Sequence, residues 1–140
     1  MKFDENLHKS VVVIADSLPL GLAMNALSVI SVSIGRNING IVGHDVFSKD
    51  SICYPGVIKT PLPILKASHD VLDAIHNELK SNDNFKLSPF SCLAQSCRTY
   101  EEYEGKLSAE HSDELKLSGI GIVGPKKEIN KLTGNLPLYK

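Results

Sequence analysis

Residues Val11 to Ala15 are apolar without interruption, and four of the five are β-branched. A strand with one wet face alternates apolar and polar residues, because successive side chains point to opposite faces. A run with no alternation predicts a strand buried on both faces, at the centre of a sheet covered on both sides. Leu115 to Val123 alternates at first and then also turns apolar, so it is a second candidate for the centre. These two segments demand a layered α/β fold.

The rest of the chain supplies the layers. From Leu20 to about Ile34 apolar residues nearly encircle a helix, with Pro19 where a first helical turn accepts proline. Gly40 to Gly43 reads as a short strand, and Asp45 to Pro55 as a loop. Val57 to Leu65 is strand-like, but Pro61 and Pro63 remove two ladder donors from one edge, which places it at the rim of the sheet. Ser68 caps a helix whose inward face is Val71, Leu72, Ile75 and Leu79. Phe85 to Phe90 is a further strand. Thr99 and Glu102 form a capping box that opens a short helix. Gly124 and Pro125 start a final helix with Ile129 and Leu132 inward and Gly134 as its C′ stop. Strands alternating with helices predict one three-layer α/β/α domain over residues 1–140, with a mixed sheet of about four strands.

Charge excludes some functions. The net charge is −1, and acidic and basic residues are interspersed. A protein that grips nucleic acid through a broad basic face needs more than this, so nucleic acid is not an expected partner. Three cysteines, Cys53, Cys92 and Cys97, leave one unpaired, and Cys92 and Cys97 lack a metal-ligand spacing, so no metal or cofactor is expected. Reduced cysteines, a polar N-terminal stretch unlike a signal peptide, and a first helix too short and polar to span a bilayer together point to a cytoplasmic protein without a membrane association.

Two segments resemble peptidyl-tRNA hydrolase II. They are Val11 to Asp16 followed by Leu18 to Gly21 and the apolar helix, and Ile120 to Pro125 running on to Ile129 and Gly134. The resemblance implies that family's fold. A closer similarity, to the bacterial domain-of-unknown-function family numbered two thousand, rests on Asp16 and Leu18, Met24 and Asn25, Gly43 and Asp45, Tyr54, Lys59 and Pro61, His69, and the Gly119 to Pro125 turn. It implies the same fold and brings no activity. Where the hydrolase begins its first helix with lysines, then a glutamine and a Ser-His pair, this chain has Gly21, Leu22, Ala23 and Met24, then Ser28, Ile30 and Ser31. Its downstream Asp and Thr fall on Leu107 and His111. No catalytic residue is therefore carried over, and the lost lysines remove anchors for a tRNA phosphate.

Four residues are candidates for a ligand site. Asp16 ends a central strand, where α/β sheets gather ligands, or else caps the helix that follows. Asn25 is an amide inside an apolar helix and must find partners, in a pocket or on a neighbouring strand. His44, Asp45 and Tyr54 flank one loop, and Lys59 and Thr60 follow it; if they converge, the histidine, carboxylate, phenol and ammonium make an acid–base set and Tyr54 and Lys59 close the site, and otherwise they belong to a solvated loop. An anionic or carbonyl-bearing small molecule suits a helix start. His69 and His76 are seven apart, not a metal spacing, and read as boundary residues. Gly119, Gly121 and Gly124 lack dinucleotide spacing and read as room for a helix to pack closely. The expected function is a ligand-binding or non-catalytic relative of the hydrolase; the alternative is an ester or amide hydrolase acting on peptidyl-tRNA or a related aminoacyl ester. The all-round apolar first helix also predicts a homodimer. Light scattering at micromolar concentration should give twice the chain mass, and a monomer mass would refute the pairing.

Overall fold

The computed structural model describes Met1–Lys140. Strand β1 (His8–Ala15) is followed by helix α1 (Leu20–Asn37) and a hairpin of two short strands, β2 (Val46–Phe47) and β3 (Cys53–Tyr54). Then come β4 (Ile64–Ala67), α2 (His69–Leu79), β5 (Lys86–Ser91), α3 (Cys92–Ser96), α4 (Tyr100–Ser108), β6 (Leu117–Pro125) and α5 (Lys126–Thr133). The main sheet has four strands in the order β4-β1-β6-β5. β1 runs parallel to β4 and antiparallel to β6, and β5 is antiparallel to β6. The sheet is thus mixed, with the two apolar strands at its centre as their composition demanded.

The unbroken apolar run of β1 serves two cores. Val11, Val13 and Ala15 pack with Leu72, Ile75 and Leu79 of α2 and Ile129 of α5. Val12 and Ile14 pack with Ala23, Ala26, Ile30 and Ile34 of α1. All five residues from Val11 to Ala15 are buried. β6 treats its two faces differently. Ile120 and Ile122 fill the α2 and α5 side, while glycines at 119 and 121 face α1. A Cβ on Gly121 would lie 2.7 Å from Ile34 Cδ1 and 2.8 Å from Ile30 Cγ2. These glycines let α1 approach the sheet, as small residues in this strand suggested.

The rims differ from the simplest reading of the sequence. The strand expected over 57–65 shrinks to Ile64–Ala67, because regular pairing starts only after Pro63; upstream, only a bridge joins Val42 to Ile58. The C-terminal tail covers that rim: Lys66 N–H donates to the Pro137 carbonyl and Tyr139 N–H to that of Ile64. Such cover protects an edge from further pairing. β5 keeps Pro89 because it is the other edge. The Thr99 hydroxyl caps α4 through Glu102 N–H, and the Glu102 carboxylate reaches back to Arg98 N–H. Gly134 ends α5 with an ordinary helical backbone, φ −62°, rather than the left-handed one expected of a C′ glycine. Helix α3 was not foreseen.

Packing and titration give two checks. Gly121→Ala should cost about 1–3 kcal/mol by overpacking against Ile30 and Ile34, read from urea melts. Gly105→Ala, at a position in α4 where a Cβ meets nothing within 4 Å, should instead stabilise by up to about 1 kcal/mol through helix propensity. His76 is half-buried, and desolvation, aided by Lys80 and opposed by Asp73, holds its pKa below the ordinary 6.5. The folded state therefore prefers the neutral ring: its contribution is present above pH 6.5 and is lost as pH falls through the lowered value. Acid titration of stability should be flatter in His76→Gln.

Candidate functional site

Four elements meet at one end of the sheet. β1, β4 and β5 all finish there, β6 begins there, and α1, α2 and α3 start from the strands that finish. Carboxyl ends of strands are where such folds hold ligands, because helix starts leave backbone N–H groups without partners. α1 is the open case. Its N-cap is Pro19, with no side-chain cap, and the first of its residues to donate back is Ala23, to Pro19. The N–H groups of Leu20, Gly21 and Leu22 make no hydrogen bond within the protein. By contrast α2 is closed by Ser68, whose hydroxyl accepts from Val71 N–H at 3.3 Å.

A polar network ties these elements together. His69, the first residue of α2, places Nδ1 3.0 Å from the Leu117 carbonyl oxygen and Nε2 3.1 Å from Ser17 Oγ. A carbonyl only accepts, so Nδ1 carries the proton, and in the neutral ring Nε2 receives the Ser17 hydroxyl. Next along β6 is Ser118. The β5–β6 register pairs Phe90 with Gly119 but Ser91 with Leu117, so Ser118 falls in a bulge. Bulges re-aim side chains. Here the fully buried Ser118 donates to Gln95 Oε1 at 2.8 Å and lies 3.3 Å from Cys92 Sγ. Gln95 Nε2 in turn donates to the Leu22 carbonyl at 2.8 Å and to Asn25 Oδ1 at 3.1 Å. With its oxygen held, Asn25 turns an unpartnered amide N–H₂ outward.

The expected site residues divide. Asp16 and Asn25 stand at this end, Asp16 just past the central strand as expected and Asn25 in a different setting. Asp16 does not cap α1: only its backbone N–H is held, by the Ala67 carbonyl. Asn25 is exposed rather than buried, because α1 turns only its Ala23, Ala26, Ile30 and Ile34 stripe inward, and its partner is a side chain of α3 rather than a strand. Lys59 is at the other end of β1. The Pro61 carbonyl accepts from Ser10 Oγ; Ser10 to Asp16 spans about 20 Å at about 3.3 Å per residue. Lys59 lies beyond, its ammonium 3.8 Å from Glu5. Tyr54 is exposed on the β2–β3 hairpin, opposite Val46. In that hairpin Asp45 accepts from Gly56 N–H, so the carboxylate closes a turn. The structure does not bring Tyr54 or Lys59 to Asp16.

Ser17, His69, Gln95 and Ser118 escaped the sequence reading. Ser17 and His69 are 52 positions apart, and His69 alone reads as a boundary residue. The usable signal was position: a serine just past a central strand, and a histidine just past a cap. Ser17 is exposed, and it lines none of the principal recesses. On the β4 flank of α1, however, Leu20, Met24, Leu27, Ile64 and Tyr139 line an apolar hollow of about 150 Å³. No group of three or more His, Cys, Asp or Glu side chains is arranged to hold a metal ion.

No curated protein matches this chain. Its fold is similar to the solved structure of a protein of unknown function from Agrobacterium tumefaciens, at 17% identity and a TM-score of 0.85, covering 95% of this chain and 98% of that one. The family model described as a protein of unknown function, DUF2000, matches residues 8–140, from the first residue of β1 through the tail that covers β4. This chain belongs to the DUF2000 family.

Proposed function

We propose that the chain is a small-molecule-binding domain whose site is the end of the sheet where β1, β4 and β5 finish, and that the ligand bears a carbonyl or carboxylate. One observation carries this reading. The N–H groups of Leu20, Gly21 and Leu22 and the Asn25 amide N–H₂ are without partners in the first turns of α1, where Gln95 ties the Leu22 carbonyl and Asn25 to the buried Ser118. Donors fixed before the ligand arrives need little ordering on binding. Asp16 stands on the rim and repels a bare anion, which favours a ligand whose carbonyl is neutral or whose charge is offset by a donor of its own. The apolar hollow beside Leu20 and Met24 suits a short aliphatic group on the same ligand.

The arrangement of α1 on one side of the sheet and α2 with α5 on the other supports a three-layer reading akin to peptidyl-tRNA hydrolase II. The charge of the site does not support that enzyme's substrate. Gly21 to Met24 bring no cation to the start of α1, and Lys59 is engaged with Glu5 at the far end. A tRNA phosphate would find no lysine or arginine there to anchor it. A second reading, self-association through α1, is supported by Leu22, Val29 and Val32, which remain exposed on its outer face.

Titration with N-acetylglycine, followed by amide NMR, tests the site. Shifts should concentrate at Leu20, Gly21, Leu22 and the Asn25 side chain, and Asn25→Leu should weaken them several-fold. Shifts clustered at Tyr54 and Lys59, or none at millimolar ligand, would overturn the proposal.

A further inference from the structure

We infer that Ser17 is a nucleophile activated by His69, so that the protein takes the acyl group of small activated esters onto Ser17 Oγ and releases it to water. This rests on the reading that the carbonyl-binding site is at the end of β1, and it adds chemistry to that site.

Three features support it. Ser17 Oγ and His69 Nε2 are 3.1 Å apart, within reach for proton transfer. The base is oriented by a third group, since Nδ1 is held 3.0 Å from the Leu117 carbonyl. A nucleophile, a base and an orienting partner in sequence are the signature of an activated hydroxyl. Finally, donors for the developing oxyanion are local: the N–H groups of Ser17, Leu20, Gly21 and Leu22 have no partner within the protein, and they lie in the turn after β1 and the first turn of α1. Ser17 is exposed, so an ester reaches it without any rearrangement.

The steps balance. Ser17 Oγ attacks the ester carbonyl carbon as its proton passes to His69 Nε2. The carbon–oxygen bond to the leaving group breaks, and His69 returns that proton to the departing oxygen. Water then attacks the acyl-serine, His69 taking one of its protons and giving it to Ser17 Oγ as the acid leaves. A backbone carbonyl replaces the usual carboxylate behind the histidine. It fixes the tautomer but stabilises imidazolium less, so both steps should be slow; an activated ester, whose leaving group departs readily, acylates faster than water deacylates, and the acyl-enzyme should accumulate.

The test uses the full chain and p-nitrophenyl acetate. A burst of nitrophenol should accompany a mass gain of one acetyl group, mapped by peptide digestion to Ser17. Ser17→Ala should abolish the acetyl-enzyme, and His69→Gln should slow acylation by at least about 100-fold. Circular dichroism of both variants checks that they fold. Acetyl groups on lysines alone, or an unchanged burst in Ser17→Ala, would overturn the inference. N-acetylglycine titration of Ser17→Ala separates the two ideas: retained shifts at Leu20 to Leu22 with an inert Ser17 sink the nucleophile and spare the binding site, and loss of both sinks both.

Discussion

The antiparallel pairing of β1 with β6 is the constraint on which the rest depends. It runs from His8 opposite Pro125 to Ile14 opposite Gly119, so the two strands share almost their whole length. Both are buried on both faces, and neither has a face fit for water. A sheet built on such a pair needs helices on each side, and the chain supplies α1 to one and α2 with α5 to the other. The two faces are filled by opposite means. On the α2 side large side chains project from β6. On the α1 side β6 has glycines, and Ile30 and Ile34 occupy the space. Removing volume from the strand lets the helix come close, and that approach seats the first turns of α1 beside the end of β6.

That seating makes the site. The regular β5–β6 ladder breaks one residue before Gly119, and the break turns Ser118 toward α3. Gln95 then spans from Ser118 to α1, holding Leu22 and Asn25. On the other side of the same stretch of β6, the Leu117 carbonyl holds His69. Two neighbouring residues of one strand thus hold side chains that belong to or reach α1 and α2. The buried hydroxyl of Ser118 is satisfied by this arrangement, and an apolar residue there would leave Gln95 without its acceptor's partner.

Electrostatics gives the site its character. It has backbone and amide donors, a neutral-capable imidazole and one carboxylate, but no lysine or arginine among the residues of the network. Donors of this kind recognise a carbonyl oxygen by direction rather than by charge. The unfilled cap of α1 is part of this: a serine or aspartate at position 19 would occupy one of the N–H groups that are now free.

Much of the fold was legible in the residues themselves. Two-sided burial shows in a run without alternation, caps show in Ser68 and Thr99, and edge strands show in prolines. Each of these signals is local, because secondary structure and burial leave a period or a punctuation mark along the chain. Where the deciding partner is distant, the chain carries no such mark. Nothing local decides whether Asp16 caps α1 or stays free, and the loop between β3 and β4 conceals how far Lys59 lies from Asp16. The sequence by itself determined which segments lie at the centre and which helices cover them, since burial free energy depends on composition. Only the tertiary structure decided that Ser17 meets His69 and that Ser118 meets Gln95. Those meetings depend on strand register, a bulge and the close approach of a helix over glycines, and no period in the chain encodes them.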